Sequence, residues 1–325
     1  MAGGRTDRAG GDSVVLTDGR SRGDGPAINR SAGGPPKRLY LARRAFGMDR
    51  APNATDVERA LRSERRFVLA LGGYALEIPG ALLVTHEKIP SPRFNYVLVG
   101  PVARERQAAF FERALDHYFQ RALRPRFRVP LPVPDHVDRG LRRFSFRPAE
   151  ATLDLWIEPD GPAPGDRSGV EVRPATPGES DLVASFWTEE KERPELHAAL
   201  EVAIHHPTPG EELLPLLARV DGVPVSAALV YRADGAAGIH LVATRAEARG
   251  QGAATALVEH ARSDARRHGG TRCSIGTDSP RIGAHLARLG FVAAASFAEY
   301  ALPREAELDL PPPGPPGPAR WRPPR

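Results

Sequence analysis

The sequence predicts an α/β fold with a mixed, partly α+β, β-sheet, divided into two halves. Three observations lead to this prediction. Short strand-like runs alternate with amphipathic helices along most of the chain. Both halves contain a long amphipathic helix followed by a strand, a short helix and a last strand, which suggests a duplication. The length of 325 residues is typical of two domains.

The two ends of the chain differ in composition from the rest. Residues 1–38 are rich in glycine and charged residues, and residues 304–325 are rich in proline. Neither segment has enough apolar residues to offset the entropy of ordering, so both are predicted to be disordered tails. Structure is expected over residues 39–157 and 170–303, joined by a linker at 158–169 that is rich in glycine and proline.

In the first half, apolar residues recur every three or four positions between Phe111 and Ala122, which indicates an amphipathic helix. The predicted strands are residues 81–86, 95–100, 126–131 and 151–157, and the predicted helices are residues 104–123 and 134–144.

In the second half, the Asp-Gly pairs at 221–222 and 234–235 are typical of β-hairpin turns. The predicted strands are residues 170–173, 213–220, 223–232, 237–244, 272–276 and 296–302, and the predicted helices are residues 178–189, 194–205, one that ends at 268, and 280–289.

Composition excludes several classes of protein. Most of the formal net charge of +5 arises in the tails, which argues against a nucleic-acid-binding face. The apolar runs are too short for a membrane span or a signal peptide, so we expect no membrane association and a cytoplasmic location. The single cysteine, Cys273, excludes an intramolecular disulfide and a cysteine-based zinc cluster, and no metal is expected.

The segment most indicative of function is residues 238–258, where a strand leads through a glycine-rich turn into a helix. Gly250 and Gly252 allow close approach of a ligand to the backbone, and the first turn of the helix offers free N–H groups, a combination suited to phosphate. The turn lacks the Gly-Lys-Ser/Thr of a nucleotide P-loop. It also lacks the third glycine of a dinucleotide-binding fingerprint, because Thr255 stands there.

Residues 249–254, Arg-Gly-Gln-Gly-Ala-Ala, resemble the Arg/Gln-x-x-Gly-x-Gly/Ala motif of the GNAT acyltransferase family. The resemblance includes residues 242–244, 269–270 and 289–291 in the same order and covers about 170–302. It implies that the chain is a tandem protein of two GNAT-like acyl-CoA N-acyltransferase domains. No glycine follows Gly100 at the corresponding turn of the first half, so 39–157 is expected to be degenerate.

By this resemblance, acetyl-CoA is the co-substrate. The amides of residues 251–255 would hold its diphosphate, Arg249 would lie at the turn, and the backbone of residues 241–243 would line the acyl arm. The implied cofactor-binding residues are Leu241, Val242, Ala243, Arg249, Gly250, Gln251, Gly252, Ala253, Ala254 and Thr255.

Several side chains are candidates for proton transfer. His240, which in a regular strand would face away from Ile239 and Leu241, is a candidate base or else a surface or core histidine. Glu190 and its neighbour Glu189 either relay a proton or end a helix. Many members of the family carry a tyrosine where this chain has Leu286, and His285 next to it points elsewhere on the helix.

Three further groups remain as candidate acids. Ser279 either takes part in the chemistry or caps a helix, while Tyr300 and Tyr231 have hydroxyls but no motif to support them. The resemblance thus implies an N-acetyltransferase in which an amine, of a small molecule or a peptide, attacks acetyl-CoA directly in a ternary complex. A non-catalytic acyl-CoA-binding or regulatory protein is the alternative.

Overall fold

The structure is a computed structural model that describes residues 52–159, 169–187, 193–205, 210–270 and 272–303. The predicted tails and most of the predicted linker lie outside the described residues. None of the described helices is long and apolar enough to cross a membrane.

Helices and strands alternate along the described residues. The helices are α1 (Ala54–Ala70), α2 (Gln107–Phe119), α3 (Asp135–Arg143), α4 (Ser180–Ala184), α5 (Arg193–His205), α6 (Ala253–Arg267) and α7 (Pro280–Arg288). The strands are β1 (Tyr74–Ile78), β2 (Ala81–Thr85), β3 (Tyr96–Val99), β4 (Arg126–Pro130), β5 (Arg147–Ile157), β6 (Glu171–Pro174), β7 (Glu211–Val220), β8 (Val223–Ala233), β9 (Ala236–Thr244), β10 (Arg272–Thr277) and β11 (Val292–Ala301).

Most of the predicted elements are confirmed within a few residues of their predicted ends. Both Asp-Gly pairs form the predicted turns, with positive φ at Asp221, Gly222, Asp234 and Gly235. The helix predicted at 178–189 is a 3₁₀ turn followed by the short α4, and residues 188–192 lie outside the described residues.

The sequence prediction lacked the first two elements, α1 and β1. The start of α1 is marked by a capping box, in which Asn53 accepts a hydrogen bond from the amide of Asp56 (3.1 Å) and Asp56 accepts one from the amide of Asn53 (2.8 Å). The helix buries Phe67 and Val68 on the sheet. Because the rest of α1 is polar, its apolar face is too narrow to be recognised from the periodicity of apolar residues.

The strands form one continuous sheet of 11 strands in the order β1-β2-β3-β4-β11-β5-β10-β9-β8-β7-β6. The pairs β3–β4 and β9–β10 are parallel, and the other pairs are antiparallel. The mixed sheet predicted from the sequence is therefore confirmed.

The two halves exchange their last strands. Strand β11, at the end of the second half, pairs with β4 of the first half, with Tyr300 opposite Phe127. Strand β5, at the end of the first half, pairs with β10 of the second, with Ser274 opposite Ile157. The order of elements along the chain does not show this exchange, because it depends on pairing between strands that are distant in sequence.

Helices cover both faces of the sheet. On β3, Tyr96 packs in a core with Phe67 of α1, and Val97 packs in a core with α2 and α3 on the opposite face. In the second half, α4 and α5 lie on the α1 side, and the α6 side carries a core that includes Leu257 and Leu286. The α1 side is therefore shared by both halves.

Residue 158, at which the predicted linker begins, is part of the buried structure. The amide of Glu158 donates to the carbonyl of Cys273 (2.8 Å), and its carboxylate accepts hydrogen bonds from Arg262 (2.8 Å) and Arg266. Glu158 thus holds the end of β5 against α6.

Four charged side chains connect α1 with the exchanged strand β11. Arg128 of β4 is buried between Glu64 of α1 (2.5 Å) and Glu299 of β11 (2.9 Å), and Arg126 also pairs with Glu299 (2.8 Å). Burial disfavours the charges, but the two carboxylates raise the pKa of Arg128, and the two arginines lower the pKa of Glu299. The buried charges therefore compensate one another.

Removing Glu299 is expected to destabilise the protein strongly. The change Glu299→Ala leaves the buried Arg128 with one partner fewer, and we expect the free energy of unfolding in urea to fall by about 3 kcal/mol. The control is Glu58→Ala, which removes the exposed ion pair with Arg62 and should cost less than about 0.5 kcal/mol. Equal losses for the two variants would show that the buried pairs contribute no more than an exposed one.

Candidate functional site

An opening in the sheet lies between β9 and β10. The two strands pair in parallel from Ala236 opposite Arg272 to Ile239 opposite Ile275, and the pairing stops there. The backbone groups of residues 240–244 that face β10 consequently have no partner on that strand. Unpaired strand edges inside a sheet are accessible to the polar groups of a ligand.

A β-bulge lies in β9 at this opening. Ala227 is opposite Ala243 and Leu229 is opposite His240, so Leu241 and Val242 together face one residue of β8. Leu241 has a φ of 50°, a left-handed conformation that is unfavourable for a leucine. Strained backbone of this kind is concentrated at functional sites.

The bulge corrects the predicted orientation of His240. In a regular strand Ile239 and Leu241 would share one face, and His240 would point to the other. In the structure Ile239 lies in the core with α6, whereas Leu241 lies in the core with α1, the side to which His240 also points. The predicted alternation is therefore wrong beyond Ile239, because the bulge inserts one extra residue.

A buried hydroxyl supports the end of β9. The Ser226 hydroxyl donates to the carbonyl of Ala243 (2.6 Å) and lies 2.8 Å from the hydroxyl of Thr244. Because it satisfies a carbonyl next to the bulge, Ser226 holds the irregular backbone in place.

The glycine turn leads from this strand into α6. Gly250 and Gly252 have φ values of 81° and 87°, and Gly252 is the N-cap residue of α6. A β-carbon at either position would meet no atom within 4 Å, so the turn is open to the outside. No hydrogen bond to a described backbone carbonyl occupies the amides of Ala253, Ala254 and Thr255. The open turn and the unbonded amides are the features that an anion site at a helix N-terminus requires.

The predicted cofactor-binding residues lie in one continuous stretch. Residues 241–243 form the bulge, Arg249 and Gln251 are exposed beside the turn, and residues 253–255 form the first turn of α6. The structure therefore brings together the unpaired edge of β9 and the open helix terminus.

His285 of α7 reaches the first turn of α6. Its Nε2 lies 2.9 Å from the hydroxyl of Thr255, and its Nδ1 lies 3.3 Å from Arg288. Leu286, at the position where the family often has a tyrosine, is 1% exposed and packs in the core under α6. A hydroxyl from that position is therefore not available at the opening.

His240 lies on the α1 side of the opening. Its ring stacks on Phe67, with 4.3 Å between the ring centroids and 7° between the planes. Burial lowers its pKa to about 4, with an opposing contribution from Glu64 and a further lowering by Arg93. The imidazole is therefore neutral at physiological pH.

A small polar space adjoins this ring. The buried Nε2 of His240 and the buried hydroxyl of Ser63 on α1 both lack a hydrogen-bond partner. A β-carbon at Gly238 would lie 2.4 Å from Nε2 and 2.5 Å from that hydroxyl, so both atoms border the same point above the strand. Gly238 is required there because any side chain would displace them.

The other candidate side chains lie elsewhere or outside the described residues. Ser279 caps α7, where its hydroxyl accepts a hydrogen bond from the amide of Ile282 (3.4 Å). Tyr300 lies on β11, which is separated from β9 by β5 and β10, and it donates to Asp138 (2.7 Å). Tyr231 donates to Glu211 on the neighbouring β7. Glu189 and Glu190 lie outside the described residues.

The pKa values of the two tyrosines and the cysteine fit structural roles. Burial, followed by the neighbouring carboxylates Asp138 and Glu211, raises the pKa of Tyr300 and of Tyr231. Burial also raises the pKa of the Cys273 thiol, and Glu158 adds to this effect. Among the described residues, no group of three or more His, Cys, Asp or Glu is placed to hold a metal ion.

The two helices of the first half, α2 and α3, are in close contact. Helices α2 and α3 pack so tightly that a β-carbon at Gly140 would lie 2.0 Å from Gln107 and 2.4 Å from Phe111. Gln107 also donates to the carbonyl of His136, and the His136 ring lies 2.9 Å from the carbonyl of Val102. These contacts fill the space between the two helices.

Three polar residues near the opening were missed by sequence reasoning. Ser63, Arg93 and Asp278 lie on α1, before β3 and after β10, respectively. They belong to no motif, and only the exchange of strands brings the first two near β9. A sequence signal could have found Asp278 alone, because it directly follows the strand next to the opening.

Solved structures share this fold. A GCN5-related N-acetyltransferase from Kribbella flavida is 19% identical, with a TM-score of 0.56 and a match over 77% of this chain and 98% of that protein. A conserved protein of unknown function from Staphylococcus epidermidis is 12% identical, with a TM-score of 0.56 over 71% and 94% of the two chains. No curated protein matches the sequence.

The fold and the opening define the class of protein. The likeness to these structures extends over both halves, and the architecture is the acyl-CoA N-acyltransferase fold. Within this class, residues 180–291 match the acetyltransferase (GNAT) family. The segment that matches this family contains the bulge, the glycine turn and helices α6 and α7.

The lowered pKa of His240 leads to a direct test. In the folded protein the ring signals of His240 should titrate in NMR spectra with a midpoint near pH 4, because protonation would place a charge on a ring with an unsolvated Nε2. In urea-unfolded protein the midpoint should return to about 6.5. Neutral His240 therefore contributes stability above pH 6.5 that is lost as the pH falls toward 4. A folded-state midpoint near 6.5 would contradict the buried position.

Proposed function

We propose that this protein is an N-acetyltransferase that moves an acetyl group from acetyl-CoA to an amine. The observation that supports this most is the adjacency of the bulged, unpaired edge of β9 to the open glycine turn of α6, within the segment that matches the GNAT family. One site is proposed, because the first half has no glycine turn after Gly100 and its helices α2 and α3 are in close contact.

The residues fit acetyl-CoA as co-substrate. The free amides at the start of α6 and the positive end of its dipole would hold the diphosphate. The extended arm would lie along residues 241–243, whose backbone groups lack a partner on β10. A backbone amide at the bulge can polarise the thioester carbonyl, as fixed donors do in other acyl transfers.

The acceptor amine would enter from the α1 side of the opening. Its nitrogen attacks the thioester carbon, so that an N–C bond forms, the C–S bond breaks and the sulfur leaves as thiolate. The nitrogen loses one proton in the process, and the thiolate takes up a proton from solvent. A thiol has a pKa of about 8.5, so it leaves without a strong acid, in agreement with the absence of a hydroxyl at Leu286.

His240 is the proposed acceptor of the amine proton. Its ring is neutral, and with its proton on Nε2, beside Ser63, the lone pair on Nδ1 is free to accept another. Nearby Glu64 favours the protonated ring, which compensates in part for burial.

Binding at the glycine turn can be tested by calorimetry. Acetyl-CoA should bind at one site per chain, and Gly252→Glu should abolish binding because its carboxylate would occupy and repel the anion site. The matched control is Gly235→Glu, which introduces the same charge at another open glycine with positive φ, at the opposite end of β9. Equal loss in both variants, or no binding by the natural protein, would refute the site.

Turnover separates the enzyme from a non-catalytic acyl-CoA-binding protein. The enzyme should release free thiol from acetyl-CoA only when an acceptor amine is present. His240→Ala should lower kcat/KM at least tenfold, because a general base typically contributes about 10²–10⁴-fold. Because His240 stays neutral down to about pH 5, it should cause no loss of kcat/KM between pH 8 and 5.5. Binding of acetyl-CoA without thiol release for any amine would favour the binding protein.

A further inference from the structure

Charged groups from both halves lie near the α1 side of the opening. Glu64 lies on α1, Arg93 lies in the segment before β3, and Asp278 directly follows β10. The ring of Phe94, next to Arg93 in the chain, lies 6.2 Å from that of Phe67, which stacks on His240. Asp278 follows the end of β10 that has no pairing with β9. In agreement with this placement, Glu64 and Arg93 both affect the pKa of His240, and Asp278 affects the pKa of Arg93.

Arg93 and Asp278 differ from the other charges of this region in having no partner. Glu64, Arg126, Arg128 and Glu299 form the compensated network described above. Neither the guanidinium of Arg93 nor the carboxylate of Asp278 makes a hydrogen bond or an ion pair with any described residue, and they do not pair with each other. This region thus presents one unpaired positive group and one unpaired negative group.

The environment of Arg93 resembles a binding site more than an open surface. The side chain is accessible to solvent, yet the surrounding protein restricts its hydration and lowers its pKa, Asp278 opposes this effect, and Arg128 adds to it. A cation in such surroundings gains more from an anionic ligand than one fully in water.

Two buried polar atoms beside Gly238 also lack a hydrogen-bond partner. Ser63 is 5% exposed, and its hydroxyl has no hydrogen-bond partner in the described structure; Nε2 of His240 beside it has none either. Buried polar groups are rarely left unsatisfied, so a polar ligand or water at this space is expected. This observation is independent of the two free charges.

We propose that the acceptor of the acetyl group is an amine that also carries a carboxylate, with Arg93 binding the carboxylate and Asp278 binding the arriving ammonium group. The proposal rests on the function proposed above and specifies its substrate class. A guanidinium binds a carboxylate through two parallel hydrogen bonds. Amino acids carry both charges a few bonds apart, which suits two neighbouring groups of opposite charge that do not pair with each other.

The first half then has a role of its own. It has no glycine turn like that before α6, but it contributes Arg93 and Ser63 to the acceptor side of the opening in the second half. The GNAT domain alone would lack both residues, so substrate choice depends on the complete chain.

Binding of reaction products tests the proposal without relying on turnover. The twenty N-acetyl amino acids and their carboxamides are titrated into the full-length protein in the presence of CoA. At least one acid should bind ten times more tightly than its carboxamide, because the carboxamide carries no charge for Arg93. Arg93→Ala should remove this preference, and Arg93→Lys should retain part of it. Since Arg93 is exposed and unpaired, neither variant is expected to unfold.

Arg139→Ala is the matched control. Arg139 is an exposed arginine of α3, on the opposite face of the sheet, and its loss should leave the preference unchanged. Asp278→Asn should raise the KM of the free amino acid at least fivefold, and it should leave binding of the N-acetyl product unchanged because the product has no ammonium group. The two variants thereby separate binding of the carboxylate by Arg93 from binding of the ammonium group by Asp278.

Three results would overturn the proposal: acids and carboxamides that bind equally, no binding of any acid, or a preference that survives Arg93→Ala. Failure of the proposed function has a different signature. In that case no amine would cause thiol release, while the preference for acids and its dependence on Arg93 would persist in the binding experiment.

Discussion

Pairing of the exchanged strands in the middle of the sheet is the constraint on which the rest of the structure depends. Strand β11 lies between β4 and β5, and β5 lies between β11 and β10, so each half is completed by a strand of the other. Every backbone hydrogen bond across this region joins the two halves. Separating them would expose the edges of four strands, and such edges are unfavourable unless they are covered. The two halves are therefore one sheet.

The exchange also decides what lies above the site. Because the sheet is continuous, α1 of the first half packs against β9 of the second, and Phe67 supports the ring of His240. The buried charges of Arg128 and Glu299 connect α1, β4 and β11 at the same place. The side of the opening proposed for the acceptor is thus formed by residues of both halves, whereas the side with the glycine turn belongs to the second half.

The two halves share a framework but differ in where their glycines lie. In the second half, two glycines with positive φ end the turn before α6, and the first amides of α6 bond to no described backbone carbonyl. In the first half, a glycine within α3 has the opposite effect, since Gly140 allows α2 and α3 to approach until Gln107 and Phe111 fill the space. A glycine in an open turn admits a ligand, and a glycine between helices admits another helix.

The sequence by itself determined the local features: the mixed α/β fold, most of the strands and helices, both Asp-Gly turns, and the glycine turn with residues 249–255. These depend on periodicity, turn chemistry and backbone freedom, which act over a few residues. The capping box at Asn53 was also present in the sequence, but α1 has too narrow an apolar face to be recognised. Only the tertiary structure decided the exchange of β5 and β11, the face to which His240 points after the bulge, and the approach of Arg93 and Ser63 to β9. These features depend on contacts between distant segments, for which no local pattern exists, because strand pairing and the packing of α1 are selected by the free energy of the whole sheet.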